Sequence, residues 1–249
     1  MKTMAMLTEP VSMTSDVESL DFEAGELFLV DKPMDWTSFD VVHRVRDLFH
    51  VKKVGHAGTL DPKATGLLIL CTGKRTKEID EFTGKEKEYE GILQLGSTTA
   101  SFDSETPIED MKEFHSITEE NMVSMFHSFL GEQSQLPPMY SAVKHSGKPL
   151  YKYARKGRSV ERTPRDIEIM QFEMVSFQLP FVEFRIVCSK GTYIRSLVSD
   201  CGDKLGCGAF LKELRRTRIG EFSVRDALTI EDLHVLAQKC APRRSLQEA

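Results

Sequence analysis

The sequence predicts an α+β fold built around one large mixed sheet. Strand and helix patterns follow one another without the regular βαβ alternation of a doubly wound protein. Residues 182–188 alternate apolar and polar side chains, as a half-buried strand does, whereas residues 41–49 carry apolar side chains at helical spacing. A chain of 249 residues can form one large domain, or a domain with a subdomain, around a sizeable core.

The first third of the chain contains an aperiodic segment followed by clear element signals. Residues 1–24 are polar, acidic and without periodicity, so we expect them to be disordered. A strand is predicted at 26–30. Thr37 and Asp40 have the spacing of a capping box and predict the start of a helix. The apolar run 67–70 predicts a buried strand.

The rest of the chain adds further helices and strands. Thr118 is expected to cap a helix whose buried side carries apolar residues, namely Met122, Met125, Phe126, Phe129 and Leu130. Strands are also predicted near 89–95 and 167–177, and helices at 77–82, at 149–155, from 194 and after Thr229.

The charge of the chain is unevenly distributed. It has 33 Lys and Arg against 38 Asp and Glu, a net charge of −5. Residues 144–165, hereafter the basic segment, nevertheless carry eight Lys or Arg against one acid, Glu161. A polarised charge pattern fits a polyanionic ligand bound on one face. A solvated basic loop on an acidic protein would give the same pattern.

Several classes of protein do not fit the sequence. No apolar stretch is long enough to span a bilayer, and the acidic, Arg-free N-terminus resembles neither a secretory signal nor a transit peptide. The five cysteines form no Cys-x-x-Cys pair, which argues against a zinc site. Their odd number and apolar surroundings predict reduced thiols. We therefore expect a cytoplasmic protein without a metal.

One segment concentrates unusual constraints around a single acid. It runs from Gly55 to Leu68 with the sequence GHAGTLDPKATGLL. Pro62 fixes its own φ and favours an extended conformation at Asp61, so Asp61 is presented on a stiff turn at the edge of a core. An ordinary Asp-Pro turn, in which the acid only accepts a local N–H, is the alternative explanation.

The chain resembles the TruB family of pseudouridine synthases over residues 26–230. Six further motifs occur in the family's order beside the Asp61 segment. They lie at 29–38 (LVDKPMDWTS), 85–89 (KEKEY), 96–103, 137–157 (beginning PPMYSAVK), 190–197 (KGTYIRSL) and 214–222. Six short motifs in one order are far more specific than any one of them.

This resemblance implies a fold and an activity. The fold is the pseudouridine synthase fold, a mostly antiparallel sheet flanked by helices, with an RNA-binding cleft and an inserted basic thumb segment at about 134–166. The activity is isomerisation of uridine to pseudouridine at position 55, in the T-arm of tRNA, without a cofactor or metal. Asp61 is implied to be the essential residue, either as nucleophile at C1′ or as general base.

The resemblance also implies roles for other site residues. Tyr89 stacks on the flipped base, and His56 helps to replace that base in the RNA. Tyr193 packs the floor of the pocket. Lys32 supports the site or contacts a phosphate. Further substrate contacts are expected from three cations, Lys77, Lys144 and Arg155.

Arg195 matches the family's arginine that pairs with the catalytic carboxylate. A cation at about 4 Å offers roughly 4 kcal/mol at an effective dielectric of 20. This exceeds a desolvation shift of about two pKa units, or roughly 2.7 kcal/mol, so Arg195 is expected to keep Asp61 ionised. A surface arginine without a role is the alternative, and in that case lysine would replace it without loss.

The remaining expectations concern domains and partners. Residues 25–230 form the catalytic domain, and 231–249 form a helix and a tail without the C-terminal PUA barrel of many relatives. A monomer is expected, with tRNA as its partner and neither a membrane nor a protein partner. Three other interpretations stay open: a non-catalytic RNA-binding protein or tRNA chaperone, a guide-RNA-dependent synthase, and a structural interaction protein.

Overall fold

The computed structural model describes residues 9–240, which divide into two compact units. The first unit joins the chain up to Lys85 with the chain from Arg216, and the second is Glu86–Arg215. The residues predicted to form one catalytic domain therefore contain both units. No helix within 9–240 has the length and apolar character needed to cross a membrane.

The helices and strands confirm the predicted α+β class. In chain order they are β1 (Leu27–Lys32), α1 (Ser38–Phe49), β2 (Val54–Ala57), β3 (Ala64–Thr72), α2 (Ile79–Gly84), β4 (Lys87–Leu95), β5 (Ser97–Thr99), β6 (Ile108–Met111), α3 (Glu119–His127), β7 (Gly131–Gln135), β8 (Lys144–His145), β9 (Lys148–Pro149), α4 (Tyr151–Ala154), β10 (Arg165–Gln178), β11 (Phe181–Cys188), α5 (Ile194–Leu205), β12 (Ala209–Ile219), β13 (Phe222–Ser223) and α6 (Ile230–Cys240). Short 3₁₀ helices occur at Gly73–Glu78 and Val224–Asp226.

The first unit is built around β3, the buried apolar strand that the sequence predicts. Strands β1 and β2 both pair with β3 in the antiparallel direction. Leu27 of β1 and Gly55 of β2 each lie opposite Cys71. Helix α1 begins with the predicted capping box between Thr37 and Asp40 and packs its apolar face into the core with α6. Because β3 is covered on both faces, its side chains are almost uniformly apolar.

The N-terminal segment corrects one expectation. Residues 9–24 are not disordered: the Val11 N–H donates to the Leu27 carbonyl oxygen at 2.8 Å, and Val11 is buried. The Phe22 ring lies 6.2 Å from that of Phe28 and 5.1 Å from that of Phe49. Apolar side chains at irregular spacing are buried one by one, so no periodicity marks them. The part of the prediction that covers residues 1–8 falls outside the described residues.

The second unit contains an antiparallel sheet in the order β4–β11–β10–β7. Thr118 caps α3 as predicted, and α3 packs on this sheet through Phe126, whose ring lies 3.8 Å from that of Phe172. Leu130, predicted on the buried side of α3, is exposed because the helix ends at His127. Strand β12, which starts in the second unit and ends in the first, was not predicted from the sequence.

Candidate active site

Asp61 lies in a tight turn between β2 and β3 of the first unit, as the sequence predicts. We call residues 58–63 the Asp61 turn. The Ala64 N–H donates to the Asp61 carbonyl oxygen at 3.0 Å, and Gly58 has a φ of +77° that favours glycine. Asp61 itself is half-buried. The carboxylate is therefore held at the start of the central buried strand.

Lys32, at the end of β1, supports this turn from inside the core. Its side chain is fully buried, and Nζ donates to the carbonyl oxygens of Trp36 at 2.6 Å, Pro33 at 2.9 Å and Pro62 at 3.4 Å. Burial lowers the pKa of Lys32 to about 8, although attraction to Asp61 acts in the opposite direction. Lys32 was predicted either to support the site or to contact a phosphate, and this buried position favours support of the site. A phosphate contact does not fit, because the ammonium group is not exposed.

Arg216 supports the same turn from β12. Only 1% of its surface is exposed, Nε donates to the Leu67 carbonyl oxygen at 2.8 Å, and Nη2 donates to the Gly58 carbonyl oxygen at 2.9 Å. The two carbonyls stand on either side of Asp61 in the chain, so one guanidinium group bridges both ends of the segment. In the sequence, Arg216 falls within the 214–222 motif, for which no role was predicted. Nothing in the local sequence distinguishes it, because β12 carries several other charged residues.

Ser38 completes the support of the Asp61 turn. Its hydroxyl donates to the Leu60 carbonyl oxygen at 3.1 Å and accepts from the Leu60 N–H at 2.9 Å. Lys32, Arg216 and Ser38 are all buried. We refer to these three side chains as the turn support.

His56 lies in β2 beside the Asp61 turn. Its ring meets the edge of Phe39 with 5.5 Å between ring centroids, and Phe39 is 63% exposed. Burial, and secondarily the charge of Arg216, lower the pKa of His56, so the imidazole is neutral at neutral pH. Its Nδ1 is buried and makes no hydrogen bond within residues 9–240. A neutral, half-buried ring of this kind is suited to stacking on a base.

Arg195 lies in the first turn of α5 in the second unit and is 4% exposed. Nη1 donates to the Ser101 carbonyl oxygen at 3.0 Å and Nη2 to the Tyr140 carbonyl oxygen at 2.8 Å. Nε lies 3.4 Å from Oδ2 of the buried Asp103. The alternative of a surface arginine is therefore wrong. In the sequence, Asp103 lies in the 96–103 motif. Its contact with Arg195 could not be predicted, because the two residues are far apart in the chain.

The predicted pairing of Arg195 with Asp61 joins the two units and stays a prediction. The same holds for the stacking role of Tyr89, which is buried in β4 opposite Ile186 of β11. Tyr193 is half-buried and immediately precedes α5. The structure thus brings Lys32 and His56 to the Asp61 turn in the first unit, and places Arg195 and Tyr193 together in the second.

The three predicted cationic contacts lie on the surface. Lys77 is exposed in a 3₁₀ helix, and Lys144 is exposed in β8. Arg155 is exposed at the end of α4, where it lies 3.3 Å from a carboxylate oxygen of Glu105 and over the ring of Tyr151. All three are accessible to a polyanion.

No group of three or more His, Cys, Asp or Glu side chains in the described part of the chain could hold a metal ion. The five cysteines are free thiols, and four of them are buried. Burial raises the pKa of Cys71 to about 12, so this thiol stays protonated.

Comparison with known proteins defines the family. Residues 46–194 match the TruB family pseudouridylate synthase N-terminal domain, and residues 195–248 match the tRNA pseudouridylate synthase B C-terminal domain. The chain belongs to the TruB family. The second match reaches residue 248, so most of the predicted tail from residue 231 falls within a domain of this family.

Curated relatives cover most of this chain. The tRNA pseudouridine synthase B of Chloroherpeton thalassium is 48% identical over 84% of the chain and 89% of that protein. The proteins of the same name from Chlorobium chlorochromatii and Flavobacterium johnsoniae are 47% and 45% identical, over 87% and 84% of the chain and 89% and 95% of their own lengths.

Solved structures confirm the pseudouridine synthase fold. An archaeal box H/ACA sRNP Nop10–Cbf5 complex matches 95% of this chain with a TM-score of 0.67 and 25% identity. A Cbf5–Nop10–Gar1 complex matches 94% of the chain with a TM-score of 0.69 and 28% identity. In both cases this TruB-family chain spans 60% of the solved chain.

Proposed function

We propose that this chain converts uridine to pseudouridine at position 55 in the T-arm of tRNA. The observation that carries the proposal is the Asp61 turn, where buried Lys32 and Arg216 hold a half-buried carboxylate in place through main-chain contacts. Relatives named tRNA pseudouridine synthase B, 45–50% identical to this chain, give the substrate.

The reaction is an isomerisation, and it needs little from the protein beyond positioned groups. The N1–C1′ bond breaks, the base rotates, C5 bonds to C1′, and the hydrogen on C5 is released to solvent while N1 gains one. Asp61 either attacks C1′ or removes a proton as general base. No redox step or external group transfer is needed, so we propose that no cofactor takes part.

The remaining site residues have roles that follow from their placement. Tyr89 stacks on the flipped uracil, and Arg195 pairs with Asp61 and keeps it ionised. His56, with its neutral ring beside an exposed aromatic side chain, takes the place of the extruded base. Lys144 and Arg155 contact the RNA backbone from the basic segment, and Lys77 contacts a phosphate.

The test is release of tritium from unmodified tRNA labelled as [5-³H]uridine. Wild-type protein should release tritium, and Asp61→Asn should release none while binding tRNA with unchanged affinity. Asp47→Asn is the matched control and should release tritium as the wild type does, because Asp47 is an exposed carboxylate in α1 of the same unit and lies outside the Asp61 turn and the turn support. A tRNA carrying cytidine at position 55 should give no specific release.

Two outcomes would contradict the proposal. Binding of tRNA by the wild type without release would favour a chaperone or a guide-dependent enzyme. Full release by Asp61→Asn would remove the central residue from the mechanism. We further propose a cytoplasmic monomer without a protein partner, for which sedimentation velocity should give a single species of 28.2 kDa.

A further inference from the structure

Gln135, the last residue of β7, makes an unusual pair of hydrogen bonds. Its side chain is 5% exposed. Oε1 accepts from the Tyr193 N–H at 2.8 Å, and Nε2 donates to the Tyr193 carbonyl oxygen at 3.0 Å. One buried amide therefore satisfies both main-chain polar groups of one residue, as a neighbouring strand would.

Tyr193 occupies the position that starts α5. Its own side chain does not cap the helix, and its carbonyl oxygen also accepts from the Leu197 N–H at 3.1 Å, the first hydrogen bond of the helix. Gln135 thus fixes the residue from which the helix begins. Arg195 follows two positions later in the first turn, so the orientation of this turn determines where its guanidinium group lies.

The stretch after Gln135 contacts the same turn of α5 twice more. The Ser196 hydroxyl donates to the Leu136 carbonyl oxygen at 3.2 Å, and Arg195 Nη2 donates to the Tyr140 carbonyl oxygen at 2.8 Å. Pro137 and Pro138 stiffen the chain between these contacts. Residues 135–140, hereafter the platform, therefore lie against the helix start at three points.

The platform is also bound by the basic segment. Arg162 Nη1 donates to the Pro137 carbonyl oxygen at 3.0 Å. At the other end, the Tyr151 N–H donates to the carbonyl oxygen of Ser141, which directly follows the platform, at 3.1 Å. The platform thus lies between the basic segment and the helix start, where it contacts Tyr193, Arg195 and Ser196.

We propose that Gln135 is a positioning residue that couples the basic segment to the orientation of Arg195. RNA held by the basic segment fixes the platform, and the platform fixes the helix start that carries the arginine. This inference rests on the proposed function, since it assigns Arg195 to the reaction. It predicts that loss of the amide slows the chemical step while tRNA binding is retained.

The experiment compares Gln135→Leu with Gln133→Ala in single-turnover tritium release at saturating protein. Gln133 is the matched control, because it lies on the same strand but bonds to the Phe129 carbonyl oxygen instead of α5. Gln135→Leu should lower the rate at least about tenfold, as expected when a reacting geometry loosens. The dissociation constant for tRNA should stay within about threefold of the wild type. Gln133→Ala should change neither value.

A double variant tests whether Gln135 acts through the arginine. In an Arg195→Lys background, Gln135→Leu should cause little further loss, because residues that act as a unit are not additive. Gln135→Glu gives an independent measurement if the leucine variant fails to fold. Its carboxyl group can both donate and accept only when protonated, so its rate relative to wild type should rise as the pH is lowered.

Each result decides a different point. A Gln135→Leu rate within about threefold of an active wild type would overturn the inference and leave the proposed function intact. Additive losses in the double variant, or a flat relative pH profile for Gln135→Glu, would also overturn it. An inactive wild type would overturn the proposed function, and the inference with it.

Discussion

Arg216 gives the sharpest prediction for stability. Its Nε and Nη2 donate to the carbonyl oxygens of Leu67 and Gly58, and the side chain is 1% exposed. Arg216→Lys keeps the charge but replaces a planar group with a single ammonium, which cannot reach both carbonyls. The carbonyl oxygen of either Leu67 or Gly58 then loses its donor.

The expected loss of stability follows from the hydrogen bonds that the substitution removes. A hydrogen bond to a charged group contributes about 1.5–3 kcal/mol, and a buried carbonyl that loses its donor has a penalty in the same range. We therefore expect Arg216→Lys to lower the free energy of unfolding by about 2–3 kcal/mol. Tritium release should fall about 10- to 100-fold, because Asp61 is no longer held at both ends of its segment.

Urea unfolding followed by fluorescence measures the first effect. Trp36 is the only tryptophan of the chain and lies in the same unit as Arg216. Arg218→Lys is the control: Arg218 is half-buried on the same strand and donates to the Gly220 carbonyl oxygen at 2.7 Å, a contact that lysine can replace. It should lower stability by less than about 1 kcal/mol. Equal stabilities of Arg216→Lys and the wild type would refute the reasoning.

Three further predictions concern pH, packing and salt. Burial lowers the pKa of Lys32 from 10.5 to about 8, so between these pH values the unfolded chain binds more protons than the folded chain. The free energy of unfolding should therefore rise with pH across this window, by up to about 3 kcal/mol relative to Lys32→Met. Parallel pH profiles of the two proteins in urea unfolding would contradict this. Gly66→Ala should lower the free energy of unfolding by about 3 kcal/mol or more, because φ is +101° and an added Cβ would lie 2.3 Å from the Arg216 carbonyl oxygen. Gly131→Ala, with φ of +91° but open space around it, should show only the smaller backbone cost. Equal melting temperatures of the two variants would show that the close approach to Arg216 does not matter. Affinity for tRNA should fall steeply between about 50 and 200 mM salt. Replacing cations of the basic segment by glutamine should reduce the slope of log association constant against log salt concentration by roughly 0.7–0.9 per lost phosphate contact. An unchanged slope would show that this segment does not contact the RNA.

Elements with local signals were predicted from the sequence. The capping box at Thr37, the helix cap at Thr118 and the apolar run of β3 depend on neighbouring residues, so the local sequence was sufficient to predict them. The turn that presents Asp61 was also predictable, because Pro62 restricts the backbone on both sides of it.

Features that depend on distant contacts were not predicted. The segment 9–24 is ordered by packing of Phe22 against two phenylalanines of the first unit, which no periodicity reveals. Strand β12 carries several charges that argue against a strand, yet Arg216 is buried because main-chain carbonyl oxygens accept hydrogen bonds from its guanidinium group. The Arg195–Asp103 contact and the Gln135–Tyr193 pair likewise join residues far apart in the chain.

The turn support has a consequence for mutational tolerance. The hydrogen bonds that Lys32, Arg216 and Ser38 make to the segment around Asp61 are with main-chain groups. Main-chain carbonyls and amides are present whatever side chain a residue carries. Substitutions at exposed positions within the turn, such as Thr59, should therefore leave the path of the backbone, and with it the position of the carboxylate, unchanged.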